Sequence, residues 1–208
     1  MARRILILLA HPVLERSRVN RRLAATATGV EGVTVHDLYE RYPALDIDVR
    51  REQALLEEHD VVVFQHPFYW YSAPAIIKEW QDLVLEYGWA YGEGGHRLDG
   101  KIAFNAVSTG GPFEAYSQSG NNRFTLRQLL APFDQTAHLC RMHYLAPFAV
   151  HAAIRIHGDD DLRPYVEDYR RLLAALRDDH VDLIAAARAG RLNAPLSAIL
   201  RRVPAHVA

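Results

Sequence analysis

Ile5, Leu6, Ile7, Leu8, Leu9 and Ala10 follow one another without a polar break. A strand with one wet face alternates apolar and polar residues. An unbroken aliphatic run of this length instead predicts a strand buried on both faces, as in a parallel sheet. Val61, Val62, Val63 and Phe64, ended by Gln65, repeat the signature, as do residues 102–107, and residues 33–37 read as a further strand. Between these runs the spacing becomes helical. Ser17, a good N-cap, opens a helix over 18–28 with Val19, Leu23 and Ala27 on one face. Residues 50–59 form a polar helix with Leu55 and Leu56 inward. Pro74 suits the first turn of a helix reaching residue 85, with Ile76, Ile77, Trp80 and Val84 as its stripe. Residues 39–48, with Pro43, read as loop, 125–133 as helix, and 136–144 as holding a fifth strand. Asp159, Asp160 and Asp161 open a last core helix to residue 176, and their charge complements the helix dipole.

Strand and helix thus alternate five times. This predicts an α/β fold: a doubly wound, five-stranded parallel sheet in the flavodoxin-like order 2-1-3-4-5, with helices on both faces. Residues 1–180 form one domain, and an Ala/Leu/Arg-rich helical extension covers 181–208, either packed on a partner subunit or frayed. The 208 residues suit a single such domain. A formal net charge of -1, from 24 Lys+Arg against 25 Asp+Glu, argues against nucleic acid as a partner and separates the chain from strongly acidic electron carriers. The single cysteine, Cys140, forbids an intramolecular disulfide and fits a reducing, cytoplasmic setting. The first apolar run is too short for a signal peptide, and no window approaches the roughly 18 apolar residues of a spanning helix.

Open parallel sheets bind ligands beyond the carboxyl ends of their strands. Three unusual loops leave that edge. The first, residues 11–20, ends at a helix N-terminus, where free amides, the Ser17 hydroxyl, the Asn20 amide, His11, Arg16 and Arg18 suit one phosphate as well as they suit a plain capped turn. The second contains Phe68, Tyr69, Trp70 and Tyr71, four consecutive aromatics that suit a flat ligand or a subunit interface. The third is Ser108, Thr109, Gly110 and Gly111, small residues that let backbone approach a ligand, with Tyr116 following as a hydroxyl donor. Together the three read as a site for FMN, or for the FMN half of FAD. Neither Gly-x-Gly-x-x-Gly nor Gly-Lys-Ser/Thr is present. No metal site is expected: on a strand His138 and Cys140 would share one face and His143 would take the other.

The pattern Ala10-His11-Pro12, Ser17-x-x-Asn20, Gln65-His66-Pro67-Phe68-Tyr69-Trp70-Tyr71-Ser72 and Ser108-Thr109-Gly110-Gly111 resembles the flavodoxin-like NAD(P)H:quinone reductase family, which includes DT-diaphorase. Within it, the bacterial ancillary proteins of glutathione-regulated potassium-efflux transporters are the most similar, from residue 4 to about 178. The resemblance implies a homodimer, a bound flavin, and two-electron hydride transfer from NADH or NADPH to a quinone in ping-pong order. It implies that His11 and Ser17, Arg18, Val19 and Asn20 hold the flavin phosphate. Phe68, Tyr69, Trp70 and Tyr71, with Ser108, Thr109, Gly110 and Gly111, would hold the ring, and Tyr116 would stabilise charge on it. In DT-diaphorase a histidine closely follows that tyrosine. Here Asn121 and Asn122 stand nearest, and Asn122 is the expected partner, able to hydrogen-bond but not to supply a proton. The second reading is a regulatory subunit of a potassium-efflux transporter with weak or no reductase activity, held peripherally on the inner face of the membrane. Azoreductase or nitroreductase chemistry is adjacent.

Overall fold

The computed structural model describes residues 2–201. Strands β1 (Ile5–Leu9), β2 (Val33–Asp37), β3 (Val61–Pro67) and β4 (Ile102–Ser108) run parallel, followed by two short strands, β5 (His143–Tyr144) and β6 (Phe148–Val150). The sheet order is β2-β1-β3-β4-β5, with β6 also paired to β4. Ile5 pairs with Val61 and Val61 with Ile102, so the three central strands stay in register and end at one edge. Every residue of β1, β3 and β4 is buried, as the unbroken runs require.

Alternate side chains divide this sheet between two cores. Ile5 and Ile7 pack with α1 (Arg18–Thr28) and α7 (Asp159–Arg177). Leu6 and Leu8 pack on the other face with α2 (Leu38–Arg41), α3 (Val49–Glu58), α4 (Ala75–Val84) and α6 (Ala131–Leu139). A single turn, α5 (Leu126–Leu129), precedes α6, and α8 (Leu183–Arg188) follows α7.

Four sequence expectations need correction. The fifth strand does not occupy 136–144: residues to Leu139 are helical, and the fifth sheet position is divided between β5 and β6. Pro147, which has no amide proton for a ladder, lies between the two pieces. His138 and the buried Cys140 therefore belong to the end of α6, and the argument from strand faces does not apply to them. The helix expected over 125–133 is broken at Leu130 into α5 and α6, where Pro132 opens the second helix. Residues 39–48 are not all loop: Asp37 caps α2 through the amides of Tyr39 and Glu40. Pro74 stands as the N-cap of α4, just outside its first turn.

Glu52 is a charged residue inside the second core. Its carboxylate accepts from His36 Nε2 at 2.8 Å, the Tyr42 hydroxyl at 2.6 Å and Trp80 Nε1 at 2.8 Å. One side chain of α3 thereby binds β2, the segment after α2, and α4. Burial alone would raise its pKa, yet the three donors outweigh burial and hold it below the ordinary carboxylate value.

A group with a depressed folded-state pKa stabilises above its unfolded pKa, and that stability is lost as pH falls through the folded value. Unfolding titrations should therefore show stability dropping below about pH 4.5, the ordinary carboxyl value. Glu52→Leu strands two buried donors, Tyr42 and Trp80, at roughly 1–3 kcal/mol each. Chemical denaturation should show a loss of about 3 kcal/mol and a shallower acid limb; an unchanged midpoint would contradict this role.

Candidate functional site

The loops leaving β1, β3 and β4 enclose a cavity of about 540 Å³, with a fourth wall from the segment after β6. On the first wall, Ser17 caps α1 by accepting the Asn20 amide at 3.1 Å. The first amides of α1, those of Arg18 and Val19, lack intrahelical acceptors and carry the positive end of the helix dipole. His11 Nδ1 accepts from the Val13 amide at 3.2 Å, which leaves its proton on Nε2. Burial pulls the His11 pKa below its ordinary value despite the nearby Asp37 and Glu15 carboxylates, so at neutral pH it is an uncharged donor. Arg18 donates to the Ile156 carbonyl at 2.9 Å across the mouth, and Arg16 lines the same end. Free helix-terminal amides beside an uncharged donor can accept an anion.

The second wall is aromatic. The Phe68 amide donates to the Ser108 carbonyl at 2.8 Å, which joins the second and third loops. Tyr69 to Ser72 then form a tight turn with Trp70 at φ 47° and Tyr71 at φ 62°. Left-handed backbone costs a bulky L-residue about 1–2 kcal/mol, and here two adjoin. The turn leaves Trp70 93% exposed at the cavity rim. Such strain beside a cavity marks a place where side-chain position has been kept against backbone preference.

The third wall is Ser108, Thr109 and Gly110. A Cβ built on Gly110 meets no protein atom within 4 Å, so the space above it is open cleft. The Thr109 side chain turns inward, donating to the Gly111 carbonyl at 2.9 Å. Asn20 does not line the cavity. It is wholly buried beneath it, where its Nδ2 donates to Ser108 Oγ at 2.9 Å. It ties the first loop to the third, while its Oδ1 has no hydrogen-bond partner among the described residues.

Tyr71, Gly111, Tyr116 and Asn122 line an adjoining cavity of about 430 Å³, which shares Phe68, Trp70 and Gly110 with the first. Tyr71 donates to Asn122 Oδ1 at 3.3 Å, bridging the aromatic turn and the loop after Tyr116. Burial raises the Tyr116 pKa, as does Tyr71, so its hydroxyl keeps its proton at neutral pH.

The model of a protein family described as having a flavodoxin-like fold matches residues 3–173. The chain belongs to this family. The glutathione-regulated potassium-efflux system ancillary protein KefG of Pectobacterium carotovorum subsp. carotovorum is 50% identical over 156 residues, 75% of this chain and 85% of its own length. Among solved structures, the general stress protein 14 of Treponema denticola in complex with FMN is 39% identical at TM-score 0.78, covering 83% of this chain and 99% of its own. An NADPH-quinone reductase from P. pentosaceus is 33% identical at TM-score 0.74, covering 82% and 97%. A chain described as a thermophilic tryptophan halogenase from Streptomycin violaceusniger is 45% identical at TM-score 0.77, covering 80% and 96%.

Within this flavodoxin-like frame, sequence reasoning missed the fourth wall. Ala153, Ile154, Ile156 and His157 complete the first cavity, and His151 supports the second. His151 lies within 5.5 Å of Tyr116, ring centre to ring centre, and 3.0 Å from Thr109 Oγ1. Since Thr109 gives its proton to Gly111, His151 Nδ1 is the donor of that pair. Burial, reinforced by Arg191, lowers the His151 pKa to about 4, and the ring is neutral near pH 7. A histidine therefore does stand beside Tyr116, supplied by the loop after β6 rather than by the residues following Tyr116. Phe148, Ala149 and Val150, an apolar run ending at a histidine, were the available signal; assigning the fifth strand upstream hid them.

Replacing Trp70 by Asn and Tyr71 by Gly relieves both left-handed positions. The double variant should melt at or above the parent temperature, because about 1 kcal/mol or more of strain is removed. Any flat ligand of the cleft should bind at least several-fold more weakly. A lower melting temperature would show that the aromatic turn is unstrained.

Proposed function

We propose that the chain is an FMN-binding NAD(P)H:quinone oxidoreductase. The observation that carries the reading is the convergence of an anion end and a flat, partly aromatic end in one strand-edge cleft. The residues fit the cofactor: the amides of α1 with Ser17 and the neutral His11 suit its phosphate, and the open space above Gly110 accepts a ring against backbone. FAD would use the same anchor. When bound, the flavin supplies two-electron hydride chemistry that no side chain offers. Balanced overall, NAD(P)H, one proton and a quinone give NAD(P)⁺ and a hydroquinone, in a ping-pong order in which both substrates use one place.

The chain's own work is binding, orientation and charge. Phe68 and the aromatic turn wall off water, and Ser108, Thr109, Gly110 and Gly111 bring backbone to the ring edge. Tyr116 holds its proton at the hydroxyl and donates a hydrogen bond to oxygen that gains charge. His151, uncharged and anchored on Thr109, fixes the tyrosine ring from behind. Asn122 positions Tyr71 by accepting its hydroxyl proton in a hydrogen bond.

The similar solved structures carry different activities in their descriptions, so the cleft bears the reading more than any one neighbour does. An FMN complex and a quinone reductase among them support it. The 50% identity to KefG supports a second role as ancillary partner of a membrane potassium-efflux transporter, met from the cytoplasmic side. No helix among the described residues is long and apolar enough to cross a membrane. The exposed Trp70 and Ile154, both on the rim of the cleft, suit a homodimer contact there.

Purified protein reconstituted with FMN should show flavin absorbance and oxidise NADH or NADPH when a menadione-type quinone is added. Tyr116→Phe should retain flavin and turn over roughly tenfold more slowly or worse, while Gly110→Val should fold normally and lose FMN. Refusal of both FMN and FAD would overturn the reading. Tight FMN binding without quinone turnover would favour the ancillary role.

A further inference from the structure

Tyr116 and His151 have a second side. A separate cavity of about 430 Å³ opens behind them, lined also by Phe113 and by three arginines, Arg127, Arg188 and Arg191. Arg188 and Arg191 lie outside residues 3–173, the span shared with the family model. Among the described residues, no carboxylate lines this cavity.

The three arginines are not equivalent. Arg127 is committed to structure: its Nη1 donates to the carbonyls of Ala187 at 2.5 Å and Ala189 at 3.1 Å, and its Nη2 lies 4.0 Å from Asp134. Arg188 has no ion pair among the described residues. The Arg191 guanidinium is held 4.6 Å from the centre of the Phe113 ring. Its Nε is buried and has no hydrogen-bond partner among the described residues. A buried donor on a permanent cation is costly when unpaired, and native structures seldom leave one without a reason. Uncompensated cations, a buried orphan donor and an aromatic wall meet in a space of ligand size.

We propose that this rear cavity binds an organic anion, a carboxylate on a flat apolar body. Arg191 and Arg188 take the oxyanion, and Phe113 with the back of Tyr116 packs the body. Guanidinium pairs a carboxylate through two parallel hydrogen bonds, which a bare halide does not satisfy. The apolar wall favours an organic acid over inorganic phosphate. Because Tyr116 separates this cavity from the cleft at the strand edge, an occupant touches the reverse face of the residue that faces the proposed ring site. The assignment of the rear site does not depend on flavin binding.

Isothermal titration of the full chain, with FMN added in excess, tests the proposal using 2-naphthoate as probe. Its neutral amide and inorganic phosphate serve as comparisons. 2-Naphthoate should bind, and its amide should bind about tenfold or more weakly. Arg191→Gln and Arg188→Gln should each weaken 2-naphthoate about tenfold, Arg191→Lys should lose less, and Arg16→Gln, in the other cavity, should leave the 2-naphthoate affinity as it is. Melting curves establish that each variant is folded, and the exposed Arg188 gives a readout should Arg191→Gln unfold. Absence of binding, sensitivity to Arg16 rather than to Arg191 and Arg188, or phosphate binding as tightly as 2-naphthoate would each overturn the proposal. If FMN gives no heat, the flavin reading fails separately, and the titration of the unliganded chain still decides this site.

Discussion

A buried polar layer directly beneath the cleft holds the site together. Asn20 on α1 donates to Ser108 at the end of β4, while Gln65 at the end of β3 donates to the Asn20 carbonyl at 2.9 Å. The Tyr169 hydroxyl on α7 donates to Gln65 Oε1 at 3.0 Å. Four elements distant in sequence therefore meet in three hydrogen bonds at the one edge where the strands deliver their loops. Each bond contributes only about 1 kcal/mol net, but a partner left alone in this dry layer costs more than the bond is worth. Asn20 Oδ1 stays without a partner among the described residues, so these three bonds are what tie the layer together. It gives the cleft a floor of fixed geometry, so that the strained aromatic turn and the helix cap above it have something rigid to stand on.

That layer also explains how far the sequence could be read. Local signals found β1, β3 and β4, because burial on both faces writes itself as an aliphatic run, and found α1 and α7, because caps and apolar stripes are local. The rule that ligands collect beyond strand ends then selected His11, Ser17, Phe68 and Gly110 before any distance was known. The role of Asn20 was not legible. A polar residue one turn inside a helix carries no local sign of a buried cross-link, and the bond of Asn20 to Ser108, 88 residues away, becomes visible only in the fold. His151 was lost for a different reason. The fifth sheet position is divided, and its second piece, three residues long, is too short for periodicity to announce.

Two buried titratable residues show how environment separates roles. Glu52 has three donors for one carboxylate and is fully satisfied, so it acts as a charged rivet between α3, β2 and α4. His151 is buried, with one anchoring partner and a positive neighbour in Arg191, so it stays neutral, and it packs against Tyr116 at a cavity wall. Satisfaction within the protein marks structure, whereas an incompletely used group at a cavity wall marks chemistry or recognition.

The segment beyond residue 181 builds a wall of the space behind Tyr116. Val181, Ala186, Leu192, Leu196 and Ile199 are buried in the same core as β1 and α7. Asn193 pairs by its side chain with both the amide and the carbonyl of Ala149 at 3.1 and 2.9 Å, and the Leu192 amide donates to the Pro147 carbonyl at 2.9 Å. The free edge of β6 is thereby satisfied, as a short edge strand requires. The same stapling brings residues 188–191 over His151. A segment that only covered the edge would place small or apolar residues there. This one places arginines, one of them with a buried donor unused. Covering the sheet and charging the space behind Tyr116 are thus one structural act, and it ties the extension physically to the cleft on the other side of that tyrosine.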